Sequence, residues 1–348
     1  MDIQRKEFGL LSDGRAVDLF TIKAGELSLS ISTLGATWTS LTVPSAKGVS
    51  DDILLGYSGF NDYLHNSNYF GVTVGRYANR INTASFCIGG KTYHISENKP
   101  GYSLHGGQMG FPRRLWSGEA FESADGVYVR LNIESPDGDQ GYPGNLSATV
   151  TYGLTKDNRL TAEYEATVDC PCPISLTNHA YFNLAGENRG KSILSHQMQL
   201  FSHTYVEIDQ QLLPTGRIID TVGTPLDFSQ AKEIGQDIQQ LNDTRLGGYD
   251  HSFIVDGPED VLRPFVTLYE LESGRHMYGF TTMPAVQVYT GNMLSSVDGK
   301  LGSKYERNHG LCLETQHLPD APNQPSFPCA IYGPDRPYHH ITSFSFEW

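Results

Sequence analysis

The chain of 348 residues is long enough to bury a large core, and it carries a formal net charge of -14 with a pI near 5.2. This acidic balance argues against nucleic-acid binding, which depends on clustered Lys and Arg. No apolar run approaches the roughly 18 residues of a membrane helix, and the N-terminus lacks the apolar core of a signal peptide. Five cysteines without metal-ligand or redox-motif spacing are expected to be reduced. We therefore expect a cytoplasmic protein with a small-molecule ligand and no nucleic-acid or membrane partner.

Short alternating apolar runs, separated by Gly, Asn, Asp and Pro, predict an all-β chain. The pair Gly89-Gly90 predicts a hairpin between 85–88 and 91–95, because glycine accepts positive φ without strain. Segments 146–154 and 159–168 predict two paired strands, and Ile234, Ile238 and Leu241 predict one amphipathic surface helix over 231–241. Composition is uniform and no linker is evident, so we expect one domain over residues 1–348.

The segment 175–186 predicts a strand with one strongly polar face. The residues of that face are Ser175, Thr177, His179, Tyr181 and Asn183. A solvated edge strand is the competing interpretation, since antiparallel sheets often face water on one side. Water-facing strands usually carry Lys, Glu and Arg, whereas this face carries none of them. The pattern therefore favours a wall that meets a small polar ligand.

Further polar residues stand at the ends of, or within, other predicted strands. The complete candidate set is Asn79, Arg80, His105, His179, Asp250, Gln287 and Glu314. Taken singly, each has an ordinary structural explanation, such as a surface ion pair for Arg80 or a turn cap for Asp250. Glu314 is the hardest to explain in this way, because its strand is otherwise apolar and a buried carboxylate is costly unless it is paired or used.

Six segments that contain these residues resemble, in order and spacing, the signature segments of the aldose 1-epimerase (galactose mutarotase) family. They are GRYANRI (75–81), LHGG (104–107), TNHAYFNL (177–184), GYDHSF (248–253), QVYTGN (287–292) and LETQ (313–316). The resemblance spans about residue 8 to the C-terminus. One such segment would be weak, but six in order are very specific.

The resemblance implies a single-domain antiparallel β-supersandwich with a sugar cleft on one sheet, as a monomer or homodimer. It implies interconversion of the α and β anomers of free aldoses, without metal or cofactor. Glu314 would be the general base that takes the C1 hydroxyl proton, and His179 the general acid that protonates the ring oxygen. The implied sugar-binding residues are Asn79, Arg80, His105, Tyr181, Asp250 and Gln287. We expect Glu314 to be ionised and His179 protonated in the free enzyme, each state helped by the charge of the other.

Three alternatives remain open. A sugar-binding protein without catalysis would use the same polar cleft. A glycosidase would use Asp250 and Glu314 as its two carboxylates. A hexose-6-phosphate epimerase of the same fold would need extra cationic side chains at the cleft, which the six segments do not supply beyond Arg76 and Arg80.

Overall fold

The computed structural model describes residues 1–241 and 244–348, in which thirty short strands make up most of the regular structure. The first nine strands are Asp2–Leu10 (β1), Ala16–Ala24 (β2), Leu27–Ser32 (β3), Thr37–Pro44 (β4), Ser50–Asp52 (β5), Thr73–Val74 (β6), Arg80–Asn82 (β7), Ser85–Ile88 (β8) and Lys91–His94 (β9). The next nine are Tyr102–Leu104 (β10), Ser117–Glu122 (β11), Gly126–Ser135 (β12), Leu146–Thr155 (β13), Arg159–Val168 (β14), Cys172–Pro173 (β15), Thr177–Asn178 (β16), Tyr181–Phe182 (β17) and Gln197–Leu200 (β18).

The remaining twelve strands are Thr204–Ile208 (β19), Pro214–Asp220 (β20), Lys232–Glu233 (β21), Asp250–Ile254 (β22), Arg263–Glu270 (β23), Arg275–Thr281 (β24), Ala285–Tyr289 (β25), Val297–Asp298 (β26), Lys304–Tyr305 (β27), Leu311–Gln316 (β28), Ile331–Tyr332 (β29) and Tyr338–Glu347 (β30). One α-helix, Phe60–Tyr63 (α1), is found within the described ranges. The 3-10 turns there are Phe111–Arg113, Asp139–Gly141, Glu187–Arg189, Ile193–Ser195, Ile238–Leu241, Lys300–Gly302 and Ala321–Asn323. None of these described helices has the length and hydrophobicity needed to span a bilayer.

Three large sheets organise the strands. A five-stranded sheet has the order β1-β2-β3-β4-β5, a nine-stranded sheet the order β11-β12-β13-β14-β30-β24-β23-β18-β21, and a six-stranded sheet the order β17-β28-β25-β22-β19-β20. The neighbouring strands in these sheets run antiparallel, as the paired registers of β12, β13 and β14 illustrate. The all-β prediction is confirmed.

One face of the nine-stranded sheet packs against both other large sheets. Trp38 of β4 meets Tyr152 of β13 edge to face, with ring centroids 5.0 Å apart. Phe182 of β17 meets Phe344 of β30 at 5.2 Å. Burial of these apolar faces supplies the main driving force for the arrangement. The six-stranded sheet therefore has one face in the core and leaves its opposite face free to form a cleft.

The strand pair predicted at 146–154 and 159–168 is confirmed as β13 and β14. Their registered inward pairs are apolar, for example Val150 opposite Tyr164, whereas Thr151 faces Glu163 on the other side. The predicted hairpin is confirmed as β8 and β9, and Gly89 and Gly90 both adopt positive φ. In both cases the period-2 pattern and the turn residues agree with the final sheet.

The helix predicted over 231–241 is wrong. The segment forms the edge strand β21 and then the 3-10 turn Ile238–Leu241. Its apolar residues are buried as the periodicity suggested, but Ile234 and Gly235 donate their backbone amides to carbonyls of the 194–196 turn. Pairing with the sheet edge has replaced the internal bonds that a helix would need.

The single strand predicted over 175–186 is also wrong. Two short strands, β16 and β17, take its place, because β16 pairs with β6 and β17 with β28. The chain changes sheets between them, at His179 and Ala180. The five polar side chains of the predicted face are all buried, but they turn to different partners: the Ser175 hydroxyl, for example, accepts the backbone amide of His317.

Arg76 anchors the strand-to-loop segment that leads into the site. Its guanidinium donates hydrogen bonds to the Ser135 hydroxyl and to the backbone carbonyls of Ser135, Pro136, Pro143 and Gly144, and the side chain is 2% exposed. A cation that is fully hydrogen-bonded to the 135–144 loop in this way has a structural role.

We predict that Arg76→Met lowers the free energy of unfolding by about 3 kcal/mol or more, because several buried carbonyls lose their donors. Arg130→Met is the matched control. Its side chain is 45% exposed and pairs with Glu119 at the surface, so we expect a change within about 0.5 kcal/mol. Urea unfolding of both variants measures the difference, and equal effects would contradict the anchoring role.

Candidate active site

Three neighbouring strands of the six-stranded sheet bring Asp250, Gln287 and Glu314 onto one face. Gln287 of β25 lies directly opposite Glu314 of β28 and, on its other side, opposite Ser252 of β22. Side chains two residues apart on a strand share a face, so Asp250 joins this set. The Gln287 amide donates to the Asp250 carboxylate at 2.6 Å, which fixes both groups.

Asn79 and His105 lie in two loops beside this face, and Arg80 begins strand β7 directly after Asn79. The Asn79 side-chain oxygen accepts hydrogen bonds from both the backbone and the guanidinium of Arg80. The loops are also joined to each other. The backbone amide of His105 donates to the backbone carbonyl of Asn79 at 2.9 Å, and the backbone amide of Asn79 donates to Nδ1 of His105 at 3.2 Å. Gly106 permits this approach: a Cβ there would lie 1.9 Å from the carbonyl oxygen of Gly75.

A stack of rings fixes the orientation of His179. Its imidazole lies between Tyr69, at 5.8 Å, and Tyr181, at 5.1 Å, with interplanar angles near 20° on both sides. The hydroxyl of Tyr181 is held by the backbone carbonyl of Asn68. On its far side the histidine Nδ1 contacts the thiol of Cys312 at 3.6 Å. The ring has little freedom to rotate, so Nε2 keeps its direction.

That direction is towards Glu314. The histidine Nε2 and the carboxylate Oε1 are 3.6 Å apart, and the two side chains are 7% and 3% exposed. Asp250 is held separately, since Arg80 contacts its second oxygen at 3.5 Å. The structure therefore brings together a titratable pair and, next to it, the ion pair of Arg80 and Asp250.

A cavity of about 160 Å³ opens above these groups. Seven of the eight predicted site residues line it: Asn79, Arg80, His105, His179, Tyr181, Asp250 and Glu314. The eighth, Gln287, is buried and does not line the cavity, but its amide donates to the Asp250 carboxylate, which does. Ligand pockets for drug-sized molecules measure about 300–1,000 Å³, so this smaller space suits a monosaccharide.

Several lining residues were missed by the sequence analysis. They are Ser67, Asn68, Tyr69, Lys99, Leu104, Tyr289 and Met293. Tyr69 matters most, because its ring packs on both His105 and His179. It follows Asn66-Ser-Asn in a segment without apolar periodicity, so no pattern singled it out. Tyr289 was detectable in principle, since it shares the face of Gln287.

The expected ionisation of the pair is contradicted. Burial lowers the pKa of His179 to about 4, and the nearby charge of Asp250 offsets this only in part. Burial also raises the pKa of Glu314 well above its usual range, with Asp250 adding to the effect and Arg80 opposing it. Removal from water favours the neutral form of each group.

A metal ion is a chemical possibility for this trio, since donor atoms of His105, His179 and Glu314 lie within 4.8 Å of one another. The hydrogen bonding of His105 favours a different use. Its Nδ1 accepts the Asn79 amide, so the neutral ring carries its proton on Nε2 and acts there as a donor. Donors and acceptors at this spacing suit the hydroxyl groups of a sugar.

Comparison with known proteins agrees with this geometry. The family model described as "Aldose 1-epimerase" matches residues 18–345. Galactose mutarotase of Mus musculus is 39% identical over 350 residues, covering 100% of this chain and 99% of its own, and that of Homo sapiens is 39% identical over 348 residues, covering 99% and 98%. The chain belongs to the aldose 1-epimerase family.

The aldose 1-epimerase fold is seen directly in a solved structure. An aldose epimerase homologue from C. elegans superposes with a TM-score of 0.87 at 27% identity, covering 95% of this chain and 99% of its own. A galactose 1-epimerase from Lactobacillus acidophilus has a TM-score of 0.85 at 23% identity, which supports the fold alone. The predicted antiparallel β-supersandwich is confirmed.

We predict that Glu314→Gln stabilises the protein at alkaline pH. The carboxyl group has a raised pKa in the folded state, so its stabilising contribution is complete below about pH 4.5 and is lost as pH rises. The advantage of the Gln variant should therefore grow with pH above 4.5, by about 1.4 kcal/mol for each unit of pKa shift. Urea unfolding at pH 5 and pH 8 measures it. Glu119→Gln, at an exposed carboxylate, should show no such pH-dependent difference.

Proposed function

We propose that Glu314 and His179 are the acid–base pair with which this isomerase interconverts the α and β anomers of free aldoses. One observation carries the assignment: the two groups lie 3.6 Å apart, buried in a cavity of monosaccharide size. Mutarotation breaks and remakes one C–O bond and moves two protons, so it requires an acid and a base but no nucleophile. Such catalysis typically supplies ~100 to 10,000-fold.

The neutral pair and the ion pair contain the same number of protons. Sugar hydroxyls that hydrogen-bond to the Glu314 carboxylate stabilise its charged form, so substrate binding favours transfer of the shared proton to His179. Glu314 then takes the proton of the C1 hydroxyl, and His179 gives its proton to the ring oxygen. The C1–O5 bond breaks to give the open-chain aldehyde. Rotation about C1–C2 and the reverse proton transfers close the ring on the other face.

The remaining residues position the sugar. His105 offers an Nε2 donor, Tyr181 holds the ring of His179, and Asn79 with Arg80 forms a polar edge beside Asp250. We propose that Gln287 acts on the substrate indirectly, by orienting the Asp250 carboxylate through its 2.6 Å hydrogen bond. The preorganised donors and acceptors avoid the cost of reorienting water around the reacting atoms.

The geometry weighs against a glycosidase that uses Asp250 and Glu314. Both oxygens of Asp250 are engaged, one by Gln287 and one by Arg80, which leaves no lone carboxylate opposite Glu314. A hexose-6-phosphate epimerase has one feature in its favour, since Lys99 lies on the rim of the cavity. Arg80 is already paired with Asp250, so it offers less charge to a phosphate.

We further propose that residues 1–348 form one domain, because the main hydrophobic core includes Phe20, Ile174 and Phe346 from distant parts of the chain. A reducing, cytoplasmic location fits the five cysteines, all of them free thiols. Whether the protein is a monomer or a homodimer is decided by light scattering on the purified chain.

Loss of either member of the pair should reduce kcat by about 100-fold or more, because general acid–base catalysis needs both. The variants are Glu314→Gln and His179→Asn. Their activity is measured as the decay of optical rotation of fresh α-D-galactose and α-D-glucose. The surface pair Glu163–His339, at 2.8 Å, provides matched controls with the same chemistry. Glu163→Gln and His339→Asn should keep the wild-type rate. Near-normal catalysis in a site variant would remove that residue from its role.

The pH dependence should be bell-shaped, because the active pair holds one proton. On the acid side activity should fall near pH 4, where His179 takes up a second proton. On the alkaline side the fall should occur well above the ordinary glutamate range, where the pair loses its only proton. The profile of kcat/KM, corrected for the spontaneous reaction at each pH, tests this. An acid limb near pH 6.5 would contradict the buried, neutral histidine.

Substrate comparison separates the alternatives. We expect mutarotation of free galactose and glucose with a higher kcat/KM than for glucose 6-phosphate, and no release of phenol from an aryl glycoside. Preference for the phosphorylated sugar, lost in Lys99→Ala, would instead support a hexose-6-phosphate epimerase. Sugar binding by calorimetry without any change in the rate of rotation would indicate a binding protein.

A further inference from the structure

Behind the cavity, the same sheet face carries a patch of buried polar atoms without hydrogen-bond partners among the described residues. They are Ser252 Oγ, Gln287 Oε1, Glu314 Oε2, and both Oε1 and Nε2 of Gln316. The four residues are 0 to 3% exposed. We call this set the rear patch.

The strand register makes the rear patch continuous. Ser252 lies opposite Gln287, Gln287 lies opposite Glu314, and Gln316 follows Glu314 two residues later on the same face. The opposite face of β28 behaves differently, since the Thr315 hydroxyl is bonded to Thr342 in the core at 2.6 Å. Unpaired polar atoms therefore collect on one side of this strand, around the inner oxygen of the proposed base.

Five such atoms cannot stay unpaired at low cost. A buried donor or acceptor without a partner loses its hydration without replacement, and native proteins satisfy nearly all such groups through protein or ordered water. The sugar is not the missing partner for the whole patch. Of its residues only Glu314 lines the cavity, and Ser252, Gln287 and Gln316 do not. Gln287 cannot turn its amide away, because its nitrogen is committed to Asp250.

The patch offers what a buried water molecule needs. A buried water typically makes about three hydrogen bonds to polar groups. Gln316 provides a donor and an acceptor, Ser252 a hydroxyl that can act as either, Gln287 an acceptor, and Glu314 a carboxyl oxygen that accepts when the group is ionised. These groups come from three adjacent strands and together offer water both donors and acceptors.

We propose that the rear patch is an internal water site, in which Gln316 and Ser252 hold ordered water against Oε2 of Glu314. Gln316 is then a positioning residue for the reaction: it acts on Glu314 through water and does not touch the sugar. The inference rests on the proposed role of Glu314. Its physical consequence is that the carboxylate, desolvated on its cavity side when sugar binds, keeps a hydrogen bond on its inner side, which makes the charged form easier to reach.

Other charged and titratable groups also face Glu314 and remain in place when the rear patch is changed. They are Asp250, Arg80, His105, His179, Cys312, Tyr181 and Tyr289. A shift in the titration of Glu314 on substitution of Gln316 is therefore assigned to the lost polar contact and not to a changed net charge.

The test compares Gln316→Met, which keeps approximate size and removes both polar atoms, with Gln316→Asn, which keeps an amide that water can reach. We expect Gln316→Met to lower kcat about tenfold, as for loss of an outer partner of an active-site group, with KM little changed. The alkaline limb of its pH profile should move upward. Gln316→Asn should recover most of both effects, and Ser252→Ala should give a smaller change in the same direction.

Thr315→Val is the matched control, because it removes a buried hydroxyl from the same strand on the opposite face. It should lower stability without moving the pH profile. A folded Gln316→Met variant with unchanged kcat and unchanged alkaline limb would overturn the proposal. So would a high-resolution crystal structure of the free enzyme without water bonded to Gln316 and Glu314. If Glu314→Gln retains activity while that water is present, the proposed base is wrong and the water site itself stands.

Discussion

The removal of one imidazole and one carboxyl group from water, 3.6 Å apart, is the constraint on which the rest of this structure depends. In water the two groups would exchange a proton readily and settle as ions near neutral pH. In the cavity the loss of solvation disfavours both charges, so the neutral form of each group is favoured in the free protein. We propose that sugar binding reverses this preference, so that one group can take a proton and the other can give one.

The sheets hold these two side chains at a fixed separation. Glu314 lies on β28, a fully buried strand that pairs in register with its neighbour β25. His179 lies where the chain crosses from β16 to β17. His179 and Phe182 are three residues apart and face opposite sides, with His179 in the cleft and Phe182 in the core. Stacking of Tyr69 and Tyr181 on the imidazole fixes the orientation of its ring.

Sequence patterns recovered the sheet architecture where local and long-range preferences coincide, as in β13 and β14. They failed where a tertiary contact replaced a local one. The 231–241 segment has helical periodicity, but part of its backbone pairs with the edge of the nine-stranded sheet. The segment 175–186 has strand periodicity, but its two halves pair with strands of different sheets. Alternation along a chain carries no information about which partner strand lies beside it.

The candidate residues were found as polar residues in or beside predicted strands, and the six family segments supplied their expected roles. Tyr69 was missed because its importance is purely spatial: it stacks on two histidines that are distant in the chain. The ionisation of the pair was misjudged because a sequence shows which charges are present but not how much water surrounds them. Burial is a property of the assembled sheets, and here it decides the sign of the effect.

The contact between Arg80 and Asp250 joins residues that are 170 positions apart, and it has a consequence for folding. Contacts of such long range require closure of large loops, which makes folding slow and places these contacts late in the process. When only the amino-terminal sheet of five strands has folded, Asp250 and Glu314 still lie in the unfolded part of the chain. Turnover of sugar thus reports completion of the entire topology, and recovery of activity marks the final stage of refolding.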